Sequence, residues 1–292
     1  MGRLKNRLLI QVGFLVAQNP FLQNFFTGSI YQGNLKRFCT PGLNCYSCPA
    51  AAFSCPIGSL QLFFAGLRHN FSLFVTGFLL SVGVVFGKFI CGYVCPMGLM
   101  QDLLYKIKSR KFILTFRFLR YIKYAVLGIF VIILPYAVRH ELSLQGRPWF
   151  CAYVCPSGTI LAAIPLIAAN DFLRNFLGWQ FLLKISIALA IIAASVFVLR
   201  IFCRILCPLG AIYGLFNRIS VFGIIADKFK CVSCKQCKMA CHIALDPIEQ
   251  ANSPECFRCG NCVKTCNTKA FSYGITTISQ RDCRPPNPTY RK

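Results

Sequence analysis

Acidic side chains are scarce: this 292-residue chain has eight Asp and Glu against 32 Lys and Arg, a formal net charge of +24. So few carboxylates leave no paired-carboxylate or Ser-His-Asp site that can be placed for general acid–base work. Phosphate-cradling sequences are missing as well, with no G-x-G-x-x-G after a strand and no P-loop. Nucleotide and flavin chemistry are therefore not expected of this chain itself. Charged residues of both signs make up 14% of the chain, where a soluble domain carries about 25%. What fills the space is apolar: 56% of residues are hydrophobic. Many Lys and Arg flank apolar runs, as positive-inside topology places them. The expected partner of the basic charge is thus a membrane and not nucleic acid.

The second abundance is cysteine, 19 in all. A disulfide scaffold is normally a short secreted chain, and its cysteines do not follow the spacings found here. One phrase recurs four times: Cys55-Pro56-Ile57-Gly58, Cys95-Pro96-Met97-Gly98, Cys155-Pro156-Ser157-Gly158 and Cys207-Pro208-Leu209-Gly210. In the last three a further cysteine precedes by four residues, at Cys91, Cys151 and Cys203; the first follows Cys39, Cys45 and Cys48. Buried inert cysteines beside a helix-stopping proline are the plain alternative. Four copies with glycine at one offset favour an internal repeat that delivers thiols to a metal centre.

Apolar runs at about 8–30, 71–89, 121–138 and 181–199 read as four transmembrane helices, since roughly 20 residues cross a ~30 Å hydrocarbon core. Lys106, Lys108, Arg110, Lys111, Arg117 and Arg120 put the loop between the second and third spans in the cytoplasm. Both termini then lie inside, and loops 31–70 and 139–180 lie outside. The expected fold is mainly α: a transmembrane domain over 1–226 with two parallel pseudo-repeats, 8–110 and 121–218. Both halves deliver Cys91, Cys95, Cys203 and Cys207 to the inner face, which is the number of thiolates one [4Fe–4S] cluster takes. Six candidates, Cys39, Cys45, Cys48, Cys55, Cys151 and Cys155, serve an outer site that needs four. By the repeat these are Cys55, Cys151, Cys155 and either Cys45 or Cys48, although Cys39, Cys45, Cys48 and Cys55 alone, or a disulfide at Cys39, remain open. Lys88, Arg200 and Arg204 suit stabilisation of a negative cluster or anchoring at the interface equally well.

From 227 to 275 the chain turns polar and dense in cysteine. Cys231, Cys234, Cys237 and Cys241 follow C-x2-C-x2-C-x3-C, and Cys256, Cys259, Cys262 and Cys266 repeat it. This is the spacing of a small α+β bacterial ferredoxin holding two [4Fe–4S] clusters, in which each fourth cysteine serves the other cluster. Cluster one takes Cys231, Cys234, Cys237 and Cys266; cluster two takes Cys256, Cys259, Cys262 and Cys241. Residues 276–292 form a tail whose Cys283 has no assigned role.

C-x3-C-P motifs between apolar runs, followed by two ferredoxin motifs, resemble the membrane polyferredoxins of the NapH/NosR type over roughly 71–270. The resemblance implies a multi-pass protein of the plasma (inner) membrane with iron–sulfur clusters, carried over onto Cys91, Cys95, Cys203, Cys207 and the eight ferredoxin cysteines. The outer cysteines, Cys39–Cys55 and Cys151/Cys155, depart from the nitrate-reductase type, and a fourth cluster there is expected from the repeat. The protein's function would be electron transfer between a cytoplasmic donor or acceptor, such as a ferredoxin or reductase, and an extracytoplasmic flavin or haem protein. Quinol oxidation with bound quinone, or copper handling by the outer cysteines, are the alternatives. The chain would be an oxidoreductase subunit rather than a stand-alone enzyme.

Overall fold

The computed structural model describes residues 7–66, 73–113, 118–138, 147–175, 178–227 and 229–275. The first six residues, Arg117 and residues 276–292 with Cys283 lie outside the described residues. Among the described residues, two helices are long and apolar enough to cross a membrane, Phe118–Ala137 and Trp179–Phe197. At 1.5 Å per residue, 19 residues extend about 28 Å. Both turn large apolar side chains outward, including Ile129, Ile133, Leu182 and Leu189. Apolar surface left bare along a helix of this length marks a membrane or protein contact.

The other two expected spans are shorter. The first is a 12-residue helix, Arg7–Gln18 (α1), followed after Pro20 by a single turn at Asn24–Thr27. Its polar residues are buried: Gln11 donates to Gly92 O (3.0 Å) and Gln18 to Val94 O (3.0 Å). The second is Phe74–Phe86 (α2), 13 residues, stopped by Gly87 at φ +52°. Gly83 and Gly87 let α2 pack closely on Pro208–Phe216 (α3) and the residues after it. A Cβ on Gly83 would stand 2.7 Å from the Phe216 ring, and one on Gly87 2.8 Å from Asn217 Oδ1.

Between Gly28 and Cys55 the backbone is largely irregular yet enters the interior. Leu43, Asn44, Ala50 and Ala51 are buried. Its polar groups find partners: Phe21 N–H donates to Ala50 O, Ala52 N–H to Gln18 O, and Asn44 Nδ2 to Asn19 Oδ1. Thr40 N–H and Ser54 N–H pair the two ends of the segment, to Ser54 O and Phe38 O.

The cysteine-dense segment 227–275, called the tail below, is framed by two antiparallel strands, Phe222–Ala226 (β1) and Phe271–Ile275 (β2), paired Phe222 to Ile275 through Ala226 to Phe271. Ile224, Cys237, Ala251, Ala270 and Phe271 make its small core. Its two cysteine loops share an uncommon backbone. Ser233, Lys235 and Ala244 have positive φ, and so do Arg258, Gly260 and Lys269. These fall two, four and thirteen residues after Cys231 and Cys256 respectively, so both loops wrap in the same way. Non-glycine residues adopt this conformation only where the surroundings fix it.

The tail is fastened to the helices by buried polar contacts. The Arg258 guanidinium donates to Phe86 O (3.0 Å), Asn217 O (2.6 Å) and Phe222 O. Asn217 Nδ2 donates to Ser253 O and Cys256 O. Tyr93 reaches Cys259 O and the Tyr273 hydroxyl. Glu255 sits between Lys123 (2.5 Å) and Lys88 (3.9 Å), both lysines fully buried.

Candidate metal centres

Each Cys-Pro-x-Gly phrase begins a helix, because proline fits the first helical position, where no N–H partner is needed. The helices are Pro56–Gly66, Pro96–Tyr105, Pro156–Ala169 and α3. The cysteine stands just before, where the helix dipole favours negative charge. The Gly210 N–H points at Cys207 Sγ (3.4 Å), and Gly58 and Gly158 N–H likewise serve Cys55 and Cys155. The C-x3-C pairs share a closure: Cys95 N–H donates to Ile90 O, Cys155 N–H to Phe150 O and Cys207 N–H to Phe202 O. This five-residue turn brings both sulfurs of a pair to one side. The glycine is needed for space: a Cβ on Gly98 would lie 2.8 Å from Cys91 O, and one on Gly210 2.8 Å from Cys203 O.

The thiols of Cys91, Cys95, Cys203 and Cys207 are buried within electrostatic reach of one another. Their surroundings supply donors: Leu43 N–H to Cys95 Sγ (3.4 Å) and Gln101 Nε2 to Cys203 Sγ (3.2 Å). Arg200 lies beside the group at φ +52°, donating to Cys91 O and Gly92 O and twice to Asp102. Burial would raise the Asp102 carboxyl, but Arg200 and then Arg7 outweigh it and hold it below its usual value.

A second group gathers Cys45, Cys55, Cys151 and Cys155. They line a cavity of about 620 Å³ together with Gly58, Gly158 and Lys184. Between Cys45 and Cys48, the position in this group falls to Cys45. The residue four before Cys55 is Ala51, so the fourth thiol comes from the irregular segment instead. Cys48 is buried near Asn19 Oδ1 (3.9 Å), and Cys39 donates to Ser59 Oγ (3.8 Å). Gln61 Nε2 donates to Cys151 Sγ at 3.2 Å.

In the tail, Cys241, Cys256, Cys259 and Cys262 come together. Burial, then Cys259, pushes the Cys256 thiol up to about 12. Cys262 is raised too, by burial and then by Cys256. Cys231 and Cys237 are neighbours, and Cys266 packs on the same small core. Cys234 is exposed to solvent. At Cys266 the upward pull of burial is outweighed by Thr268 and by backbone donors, Ala270 N–H among them, so its thiol falls below its usual value. That favours the thiolate a metal requires.

The three complete groups are all thiol, without carboxylate or imidazole, which suits soft metal and iron–sulfur chemistry. Among the described residues no three His, Cys, Asp or Glu converge tightly enough for a single ion, whose thiolate bonds are only about 2.3 Å. Four sulfurs around a larger volume, with N–H donors aimed at them, fit a [4Fe–4S] group. Gln61, Gln101 and Tyr213 were not foreseen. The signal was available: each stands six residues after the cysteine of a Cys-Pro-x-Gly phrase.

Fold and thiol groups together define a cysteine-rich, mostly helical protein of the iron–sulfur class with apolar outer helices. A family described as "4Fe-4S binding domain" matches residues 69–115, 142–169 and 181–229, which contain all three C-x3-C-P pairs. An uncharacterized protein of Methanocaldococcus jannaschii is 30% identical over 199 residues, 65% of this chain and 73% of that one. The ferredoxin-type protein NapH of Escherichia coli is 28% identical over 52% of this chain and 68% of its own. The putative electron transport protein YccM of Escherichia coli is 25% identical over 65% of this chain and 53% of its own. No solved structure matches. The chain belongs to the NapH/NosR-type, polyferredoxin-like family of 4Fe–4S membrane proteins.

Proposed function

We propose that this protein carries electrons across the plasma (inner) membrane, between a cytoplasmic redox protein and an extracytoplasmic one. The observation that carries the reading is continuity. A single buried core contains Cys55 and Cys155, then Cys91, Cys95, Cys203 and Cys207, then Phe257, with Cys151, Cys241 and Cys256 packed on it. Iron–sulfur clusters held by these thiols supply one-electron transfer. We assign Cys91, Cys95, Cys203 and Cys207 to one, and Cys45, Cys55, Cys151 and Cys155 to another. The tail holds two, on Cys241, Cys256, Cys259 and Cys262 and on Cys231, Cys234, Cys237 and Cys266.

The residues between these groups pack them and exclude water. Phe257 is buried between the tail and the inner thiols, with Lys88 and Arg200 over its ring at 4.9 and 5.2 Å. Those cations sit where negative charge gathers when four thiolates meet. The tail and the Lys106–Lys111 loop are placed in the cytoplasm by the positive-inside rule. The printed names of relatives, an electron transport protein and a ferredoxin-type protein, agree with this class of activity.

The test is anaerobic purification followed by reconstitution in vesicles loaded with an impermeant acceptor. About sixteen iron atoms per chain and no copper are expected for four clusters, and external reductant should reduce the enclosed acceptor. Copper at one per chain, or full iron with no transfer across the bilayer, would overturn the reading.

A further inference from the structure

Two glutamines occupy matching places at the two membrane-domain thiol groups. Gln61 and Gln101 are both completely buried. Gln101 Nε2 donates to Met97 O (3.2 Å) and to Cys203 Sγ (3.2 Å), and its Oε1 accepts from Phe202 N–H (3.1 Å). Gln61 Nε2 donates to Ile57 O (3.2 Å) and to Cys151 Sγ (3.2 Å), and its Oε1 accepts from Phe150 N–H (2.9 Å). In both cases the glutamine lies six residues after one Cys-Pro cysteine, and the backbone acceptor four residues before it in the same helix. The N–H it accepts from belongs to the residue just before the first cysteine of a C-x3-C pair in the other half of the chain.

An amide's oxygen and nitrogen are ordinarily interchangeable in a structure. Here each is fixed by its neighbours. A carbonyl at one end demands the NH2, and an N–H at the other demands the oxygen. The remaining NH2 hydrogen is therefore directed at sulfur. A buried Gln–sulfur contact built twice from equivalent parts does not read as incidental packing, since burying an amide is costly unless its groups are paired.

We propose that Gln61 and Gln101 are paired positioning residues that set the reduction potentials of the two membrane centres through their N–H···S bonds. A donor to a ligand sulfur stabilises the more negative, reduced state and so raises the potential. Because the two contacts match in length and partners, they raise both centres alike, which keeps electron exchange between them close to balanced in either direction. Each bond also ties a helix of the first half to a cysteine of the second.

This inference rests on the reading that the two thiol groups hold clusters. The experiment is a redox titration, followed by electron paramagnetic resonance, of the full chain and of Gln101→Met, Gln101→Glu and the same pair at Gln61. Loss of the donor in Gln→Met should lower the midpoint of one membrane centre. Gln→Glu adds a negative charge and should lower it further, while the other three centres stay put. Glutamate keeps the size and the oxygen that receives Phe202 or Phe150 N–H, so it reports where methionine prevents assembly. Wild-type protein without membrane-domain signals would refute the cluster assignment. Signals present in all variants at unchanged potentials, or all centres shifting together, would refute the role of the glutamines alone.

Discussion

The pair Arg200–Asp102 offers a quantitative test of how the inner thiol group is braced. Arg200 is 1% exposed and donates to Asp102 at 2.8 and 2.5 Å, to Cys91 O at 2.5 Å and to Gly92 O at 3.2 Å. Asp102 also receives Arg7 (2.6 Å) and Gln11 (2.9 Å). Replacing Arg200 by Met leaves a mostly buried carboxylate with one cation fewer and Cys91 O without this donor. Breaking a buried pair this way costs about 3–5 kcal/mol. Asp102→Leu strands the Arg200 guanidinium in the same interior, at a similar cost. The double variant removes both charges, and Arg7, which is 20% exposed, can turn to solvent. Its cost should then fall well below the sum, by a coupling of about 1–3 kcal/mol. The assay is the apparent Tm of the detergent-solubilised protein, with the inner-site iron–sulfur signal followed in parallel. Asp171→Asn, at a pair whose acid is 90% exposed, is the control and should not move Tm. Additive losses would show that Arg200 and Asp102 act separately and would refute the brace.

Three further outcomes are expected. Cys91→Ser and Cys203→Ser should each abolish the same spectroscopic signal and spare the tail's; loss of two different signals would mean each half carries its own centre. Cys45→Ser should abolish the centre at the 620 Å³ cavity, whereas Cys48→Ser and Cys39→Ser should keep it; iron analysis with resonance spectra decides. Arg258→Leu leaves three carbonyls without their guanidinium, at about 1–3 kcal/mol each. It should speed proteolytic release of the tail and slow reduction of the membrane centres from the cytoplasmic side, both read by time course.

Spacing proved most informative where chemistry demands fixed offsets. The eight tail cysteines and the Cys-Pro-x-Gly phrases stand out in the sequence, because a loop that holds a cluster would tolerate no insertion. Gly98 and Gly210 were visible for the same reason: each faces the carbonyl of a cysteine four residues before its own phrase's cysteine. Contacts across long separations were not legible. Nothing in a string of letters brings Gln61 to Cys151, ninety residues away, or chooses Cys45 over Cys48. Hydropathy also overstated the first apolar run. Residues 8–30 read as one apolar run, yet Gln11, Gln18 and Asn19 are buried against other segments, and the helix ends at Gln18, two residues before Pro20.

That shortness has a consequence for how thiols on two sides can work together. A ~30 Å hydrocarbon core separates the faces, while α2 spans about 20 Å at 1.5 Å per residue. The segment from Cys39 to Cys55, expected in an outer loop, is largely buried within the fold. Irregular backbone is tolerated at membrane depth only when enclosed by protein, and here the N–H groups of Thr40, Leu43, Ala51, Ala52 and Ser54 find partners within the fold. The same segment meets the inner thiols directly, since Leu43 N–H donates to Cys95 Sγ. Fully buried Tyr213, on the helix that starts after Cys207, donates to Pro41 O at 2.9 Å. Its hydroxyl lies within electrostatic reach of Cys91 and Cys95 and also of Cys39 and Cys55. The two sets of thiols are thus joined through a few residues of one core. Under the proposed function, an electron passing between clusters held by these thiols would not cross the full thickness of the bilayer in one step. On that proposal the buried segment, through Leu43 and Pro41, is what brings the two sets of thiols together.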